Sequence, residues 1–103
     1  MALVAETLRQ GVRMLVGVVR YVADASGTGC EFAVAVDDDW QGSGLAGVLM
    51  NVLIGVARSR GFRTMHGLVL RANDKMLKLS RQLGFRHESD PQDHETVRVV
   101  REL

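Results

Sequence analysis

The chain has 103 residues, 47% of them hydrophobic and 24% charged, with a formal net charge of +1 at pH 7. That length supports one domain rather than two, and near-neutral charge argues against a nucleic-acid surface or an acidic partner. A single cysteine, Cys30, excludes an intrachain disulfide and suits a reducing cytoplasm, and no run reaches the roughly 18 apolar residues of a membrane span. Residues 1–5 are too short and uncharged for a secretory signal.

In chain order, residues 1–5 are apolar and residues 6–12 are mostly polar, with Gly11 among them. Residues 13–22 are valine-rich and read as a strand, and their near-continuous apolar character predicts cover on both faces. Asp24, Ser26, Gly27 and Gly29 mark a turn. Residues 30–36 read as the next strand, so 13–36 is expected to be an antiparallel hairpin. Residues 1–5 are placed as its third strand, connected through 7–11, with a helix over 3–10 as the competing reading. Asp37, Asp38 and Asp39 end the hairpin. A solvated turn is preferred there to a metal site, because adjacent carboxylates point apart and no His or Cys joins them.

Residues 44–60 carry Leu45, Val48, Leu49, Val52, Leu53 and Val56 at helical spacing. Ala46, Met50, Ile54 and Ala57 widen the apolar arc, which predicts a helix buried on much of its surface. Gly61 suits a left-handed cap. Residues 64–70 form the following strand, giving a βαβ unit with parallel strands. Asn73 is placed to cap a second helix bearing Met76, Leu77, Leu79 and Leu83, with Gly84 past its end. A short strand over 85–88, a loop over 89–93 around Pro91 and a last strand over 94–103 complete an α/β domain with a mixed sheet.

Residues 39–46 organise the rest. A strand end, a glycine turn and a helix start bring unpaired backbone N–H groups and partial positive charge to one point, which suits an anion such as a ligand phosphate. Gly42 and Gly44 keep Cβ atoms out of its path. Gly42, Gly44 and Gly47 also fit G-x-G-x-x-G, but a dinucleotide fold needs an acid at the end of the next strand, and residues 64–70 contain none. No Gly-Lys-Ser/Thr follows the turn, which excludes a P-loop.

Read from Gln41, the same turn is Q-x-x-G-x-A, through Gly44 and Ala46. This resembles the pyrophosphate-binding motif of the GNAT superfamily of acyl-CoA-dependent N-acyltransferases. A second block, Asn73-Asp74-Lys75-Met76 followed by Leu83-Gly84-Phe85, is similar to that family's asparagine helix. Val16 to Val22, Glu31-Phe32-Ala33-Val34, Asp38 to Gly42 and Met76 to Leu79 carry a closer resemblance to Pat-type bacterial protein lysine acetyltransferases.

The resemblance covers nearly the whole chain but only the latter part of the family's fold. It implies a GNAT-like mixed sheet, antiparallel hairpin strands followed by a parallel βαβ unit, with the family's first strand and first two helices missing upstream of Met1. It also implies acetyl-CoA as coenzyme. Backbone N–H groups of Gln41, Gly42, Ser43, Gly44, Leu45 and Ala46 would hold the pyrophosphate, Val34, Ala35 and Val36 would pair with the pantetheine arm, and Asn73 would hydrogen-bond that arm. As a plain N-cap, Asn73 has a second role compatible with the first.

An acceptor amine with an ordinary pKa of about 10.4 is protonated at neutral pH, and freeing it costs about 4.6 kcal/mol, so some group must take the proton. The resemblance assigns that role to Glu31, whose neighbours Phe32, Ala33 and Val34 suggest an apolar setting that raises its basicity. An exposed strand-end glutamate is the plainer alternative. The family tyrosine that protonates the leaving thiolate is replaced by Ser80, read here as a small helix residue. His66, His87 and His94 show no metal spacing with Cys30; His66 is expected in the core or beside the coenzyme. An acyl-cysteine route through Cys30 lacks a placed histidine.

The expected function is acetyl-CoA-dependent N-acetylation by direct attack on the thioester. By the resemblance the acceptor is a protein lysine, such as one on an acyl-CoA synthetase. A non-catalytic CoA-binding module and a small-amine acetyltransferase stay open. A truncated sheet is expected to expose an edge or an apolar face and so to favour a homodimer.

Overall fold

The computed structural model describes the backbone of all 103 residues and the side chains of all but Asp38. Six strands form one sheet in the order β1-β2-β3-β4-β6-β5: β1 (Ala2–Arg9), β2 (Val12–Ala23), β3 (Gly29–Val36), β4 (Thr64–Leu70), β5 (Arg86–Asp90) and β6 (Asp93–Glu102). Helix α1 (Leu45–Ser59) crosses between β3 and β4, the parallel pair, and α2 (Asp74–Gln82) lies between β4 and β5. This is the mixed α/β sheet expected from the sequence.

The N-terminal ribbon is longer than its composition suggested. Residues 7–9, expected as connection, are paired strand, and a helix over 3–10 is excluded. The turn is only Gln10 and Gly11, with φ of 52° and 78°. Two positive φ values match the type I′ turn that suits tight hairpins. Polar residues are admitted because much of the ribbon lies in solvent. A bulge between Ala5 and Glu6 leaves Val16 as the extra residue of β2, and Val16 is buried. At the other end, the loop expected over 89–93 is just Pro91 and Gln92, because Asp90 and Asp93 already pair.

Cross-strand partners share a face, so the register defines two faces. One carries Val19, Tyr21, Cys30, Phe32, Met65, Val69, Val97 and Val99, all buried, under Leu49, Met50, Leu53, Ile54 and Ala57 of α1. Gly67 belongs to it: a Cβ there would sit 2.6–3.0 Å from atoms of the Phe32 ring, which packs edge-on against Phe85 at 5.3 Å. The other face carries Val22 and Leu68, 60% and 63% exposed. The cover on both faces expected for β2 is therefore wrong, as is the wide burial of α1. With both helices contributing to the same core, Val48 and Val52 of α1 remain exposed.

Candidate active site

Helix α1 begins without a side-chain cap. Its N-cap is Gly44, left-handed at φ 89°, and Gly42 before it has φ 79°. Nothing lies within 4 Å of a Cβ built on either residue, so glycine is required there by conformation and leaves the approach open. Asp37 supports the strand end, its Oδ1 accepting from the Asp39 N–H at 3.0 Å. The Asp38 side chain, one of the three carboxylates singled out above, lies outside the described residues.

The N–H groups of this turn divide into two sets. That of Ser43 donates to the Trp40 carbonyl at 3.2 Å, and that of Leu45 to Ser43 Oγ at 3.3 Å. Among the described residues, those of Gly42, Gly44, Ala46 and Gly47 have no protein acceptor. Ser43, grouped with the anion-holding residues from sequence, is exposed, donates its hydroxyl to the Trp40 carbonyl and does not line the cleft. Gln41 does line it, with its Nε2 3.5 Å from the Val36 carbonyl.

The cleft has a volume of about 630 Å³ and is bounded by Val34, Ala35 and Val36 on one side and by α2 on the other. It exists because β3 and β4 pair only from Gly29/Thr64 to Glu31/His66, although both strands continue beyond. Past that last rung, the edge of β3 that faces β4 carries no strand pairing. Asn73 caps α2, its Oδ1 accepting from the Met76 N–H at 3.1 Å, and it also lines the cleft. Lys75, Lys78, Leu79 and Gln82 line it too, although the sequence reading placed none of them in the binding site. Their spacing of i, i+3, i+4 and i+7 marks one helix face and was visible in the sequence. Among the described residues the charged groups of the lining are these two lysines.

Glu31 sits on the last rung, on the open face of the sheet, and is exposed rather than set among apolar side chains. Alternation explains the difference, because Cys30 and Phe32 on either side of it turn into the core. Ser80 is fully buried, its Oγ donating to the Leu77 carbonyl at 2.8 Å and lying 3.0 Å from His87 Nε2. It ties α2 to β5 and does not line the cleft. Cys30 is buried, and burial pushes its thiol up to about 11. His66 lies outside the cleft lining and bonds to Asp24.

An anion-ready helix start thus lies beside a strand edge opened by splaying, and comparison with known proteins places this arrangement in a family. Residues 2–85 match the model of the acetyltransferase (GNAT) family, and the chain belongs to that family. It is 44% identical over 97 residues to an acetyltransferase of Pseudomonas aeruginosa, covering 94% of this chain and 52% of that protein. Among solved structures it resembles the GNAT domain of S. lividans PAT, with 32% identity, a TM-score of 0.77 and coverage of 86% of this chain and 55% of the other. A ribosomal-protein-alanine N-acetyltransferase from Brucella melitensis shares the fold at 22% identity, a TM-score of 0.79 and coverage of 99% and 68%. The chain thus spans about half the length of the curated relative it matches.

Proposed function

We propose that this chain binds acetyl-CoA in the cleft and transfers the acetyl group to an amine, in particular a protein lysine. The observation that carries the reading is the set of open N–H groups at Gly42, Gly44, Ala46 and Gly47, facing a cleft whose charged lining is cationic. A pyrophosphate fits there: each helix-terminus contact is worth about 0.3–2 kcal/mol, so four together hold a group that one would not. Val34, Ala35 and Val36 offer the pantetheine amides an unpaired strand edge, and the Asn73 side-chain amide donates from the opposite wall. The thioester supplies an activated acyl carbon. Glu31, on the rung where the strands part, takes the proton from the attacking amine. The lysine acceptor rests on the resemblance of residues 16–22, 31–34, 38–42 and 76–79 to Pat-type protein lysine acetyltransferases, and a cytoplasmic setting on the free Cys30.

Calorimetric titration with acetyl-CoA tests the coenzyme half, and no heat of binding at about millimolar coenzyme would overturn it. Transfer to a panel of lysine-bearing proteins that includes an acyl-CoA synthetase, with polyamines and aminoglycosides as the small-amine arm, tests the acceptor half. Coenzyme binding with no transfer to any of them favours a binding module instead, a reading to which the exposure of Glu31 gives weight. The open apolar face supports self-association as a homodimer, and a monomer mass by light scattering would refute it.

A further inference from the structure

His66 shares the last rung of the β3–β4 pair with Glu31, so both side chains leave the same face of the sheet side by side. Asp24, at the end of β2, reaches across to it: Asp24 Oδ2 lies 3.1 Å from His66 Nε2, with the two side chains 26% and 15% exposed. The carboxylate occupies space that Gly29 leaves free, since a Cβ on Gly29 would lie 2.3 Å from Asp24 Oδ2 and 2.7 Å from Thr64 Oγ1. Its other oxygen is held by the Ser26 hydroxyl and the Ser26 N–H, the latter at 2.9 Å. The Ser26 hydroxyl bond, chiefly, keeps the Asp24 carboxyl below its ordinary range. An ionised carboxylate only accepts, so the proton between the two groups is on His66 Nε2, which in the neutral ring leaves the lone pair on Nδ1. Among the described residues Nδ1 has no protein partner.

We infer that His66, oriented by Asp24, is the proton relay of Glu31. The proposal rests on the acetyl-transfer reading and adds a second group to it. As the amine nitrogen forms its bond to the acyl carbon, its proton passes to a Glu31 carboxylate oxygen. Glu31 passes a proton on through a bridging water to His66 Nδ1, and the ring, now cationic, is stabilised by the Asp24 carboxylate bonded to its far side. When the C–S bond breaks, the sulfur keeps the electron pair and is protonated from solvent. His66 then returns its proton to water, and Glu31 is again a base. An exposed carboxylate alone is a weak base, so a stronger neighbour able to accept its proton gives the rung its use.

The test is steady-state kinetics of the full chain with acetyl-CoA and a lysine acceptor, for His66→Gln, Glu31→Gln, the double variant and Asp24→Asn. The expected outcome is a kcat for His66→Gln lower by about 10²-fold, with coenzyme affinity by calorimetry unchanged, which also shows that the variant is folded. The double variant is then no slower than Glu31→Gln, because the two residues act as a unit. Asp24→Asn loses part of the same rate. His66→Asn serves in place of the glutamine variant if that one does not fold. Full rate in His66→Gln, or losses that multiply in the double variant, overturns the relay and leaves acetyl transfer standing. Coenzyme binding without transfer by the unaltered chain overturns the transfer reading and the relay together.

Discussion

Gly44 combines two requirements, a left-handed cap and an open approach, in the one residue type that meets both. Gly44→Ala keeps the open space, since nothing lies within 4 Å of the new Cβ, but strains φ 89°. The expected cost is about 1–2 kcal/mol, read as a lower melting temperature, a weaker Kd for acetyl-CoA, or both. An unchanged protein on both measures would mean that the backbone at 44 is not what prepares the anion site. Lys75 and Lys78 make a separate prediction, because the proposed pyrophosphate cradle uses backbone N–H groups, whereas a further phosphate on the coenzyme would need side chains. Alanine at either is expected to weaken acetyl-CoA binding by about 1 kcal/mol, near fivefold. The loss should be smaller for dephospho-CoA. Equal losses for both coenzymes would place the lysines on the pyrophosphate instead.

At the scale of elements, Gly55 of α1 isolates a single term, whereas Asn73, the cap of α2, probes two. Gly55 lies inside α1, exposed, with no atom within 4 Å of a built Cβ. Gly55→Ala is therefore expected to stabilise the fold by about 0.5–1 kcal/mol in urea unfolding, with unchanged coenzyme binding. Asn73→Ala removes the α2 cap and should cost about 1 kcal/mol; if Asn73 also holds the coenzyme arm, Kd weakens beyond what the stability loss explains. These elements were the legible ones. The 3.6-residue period of α1, the Gly61 stop and the glycine turn were all readable, because each is a local preference that the tertiary structure leaves in place. The length of β1 was not, since an exposed ribbon tolerates polar residues and its two-residue turn at Gln10 and Gly11 lacks the usual Asn-Gly or Asp-Gly signal. Single-sided burial of β2 and α1 was equally hidden: apolar side chains at Val22 and Val48 look the same in sequence whether or not something covers them. In the site, the turn was legible and the lysine stripe of α2 was there to be read. Asp24 and His66 were not, because residues 42 positions apart meet only through the β3–β4 pairing.

Taken as a whole, the molecule is a thin body of 47 × 32 × 21 Å, one sheet with helices packed on one face, so several ionisable groups lie close to solvent yet hold specific partners. Their shifts make stability fall with acidity in two stages. His87 is depressed from 6.5 chiefly by burial, with Arg81 nearby adding to it. A depressed histidine is neutral in the folded chain, and the unfolded chain binds the extra proton first. Its contribution is complete above the unfolded value of 6.5 and is lost as pH falls through the lower folded value. The carboxylates follow at lower pH. Asp24 and Asp93 are depressed from 3.8, mainly by the Ser26 and Thr96 hydroxyls, and Glu88 from 4.5, mainly by Arg98. Each contributes above its unfolded value and ceases to as pH falls through the folded one. Urea unfolding free energies should therefore decline gently below pH 6.5 and more steeply below pH 4.5. His87→Gln separates the stages, removing the gentle decline while leaving the steep one. A wild-type profile with no gentle decline would refute the His87 contribution, and a steep stage that disappears in His87→Gln would refute its assignment to the carboxylates.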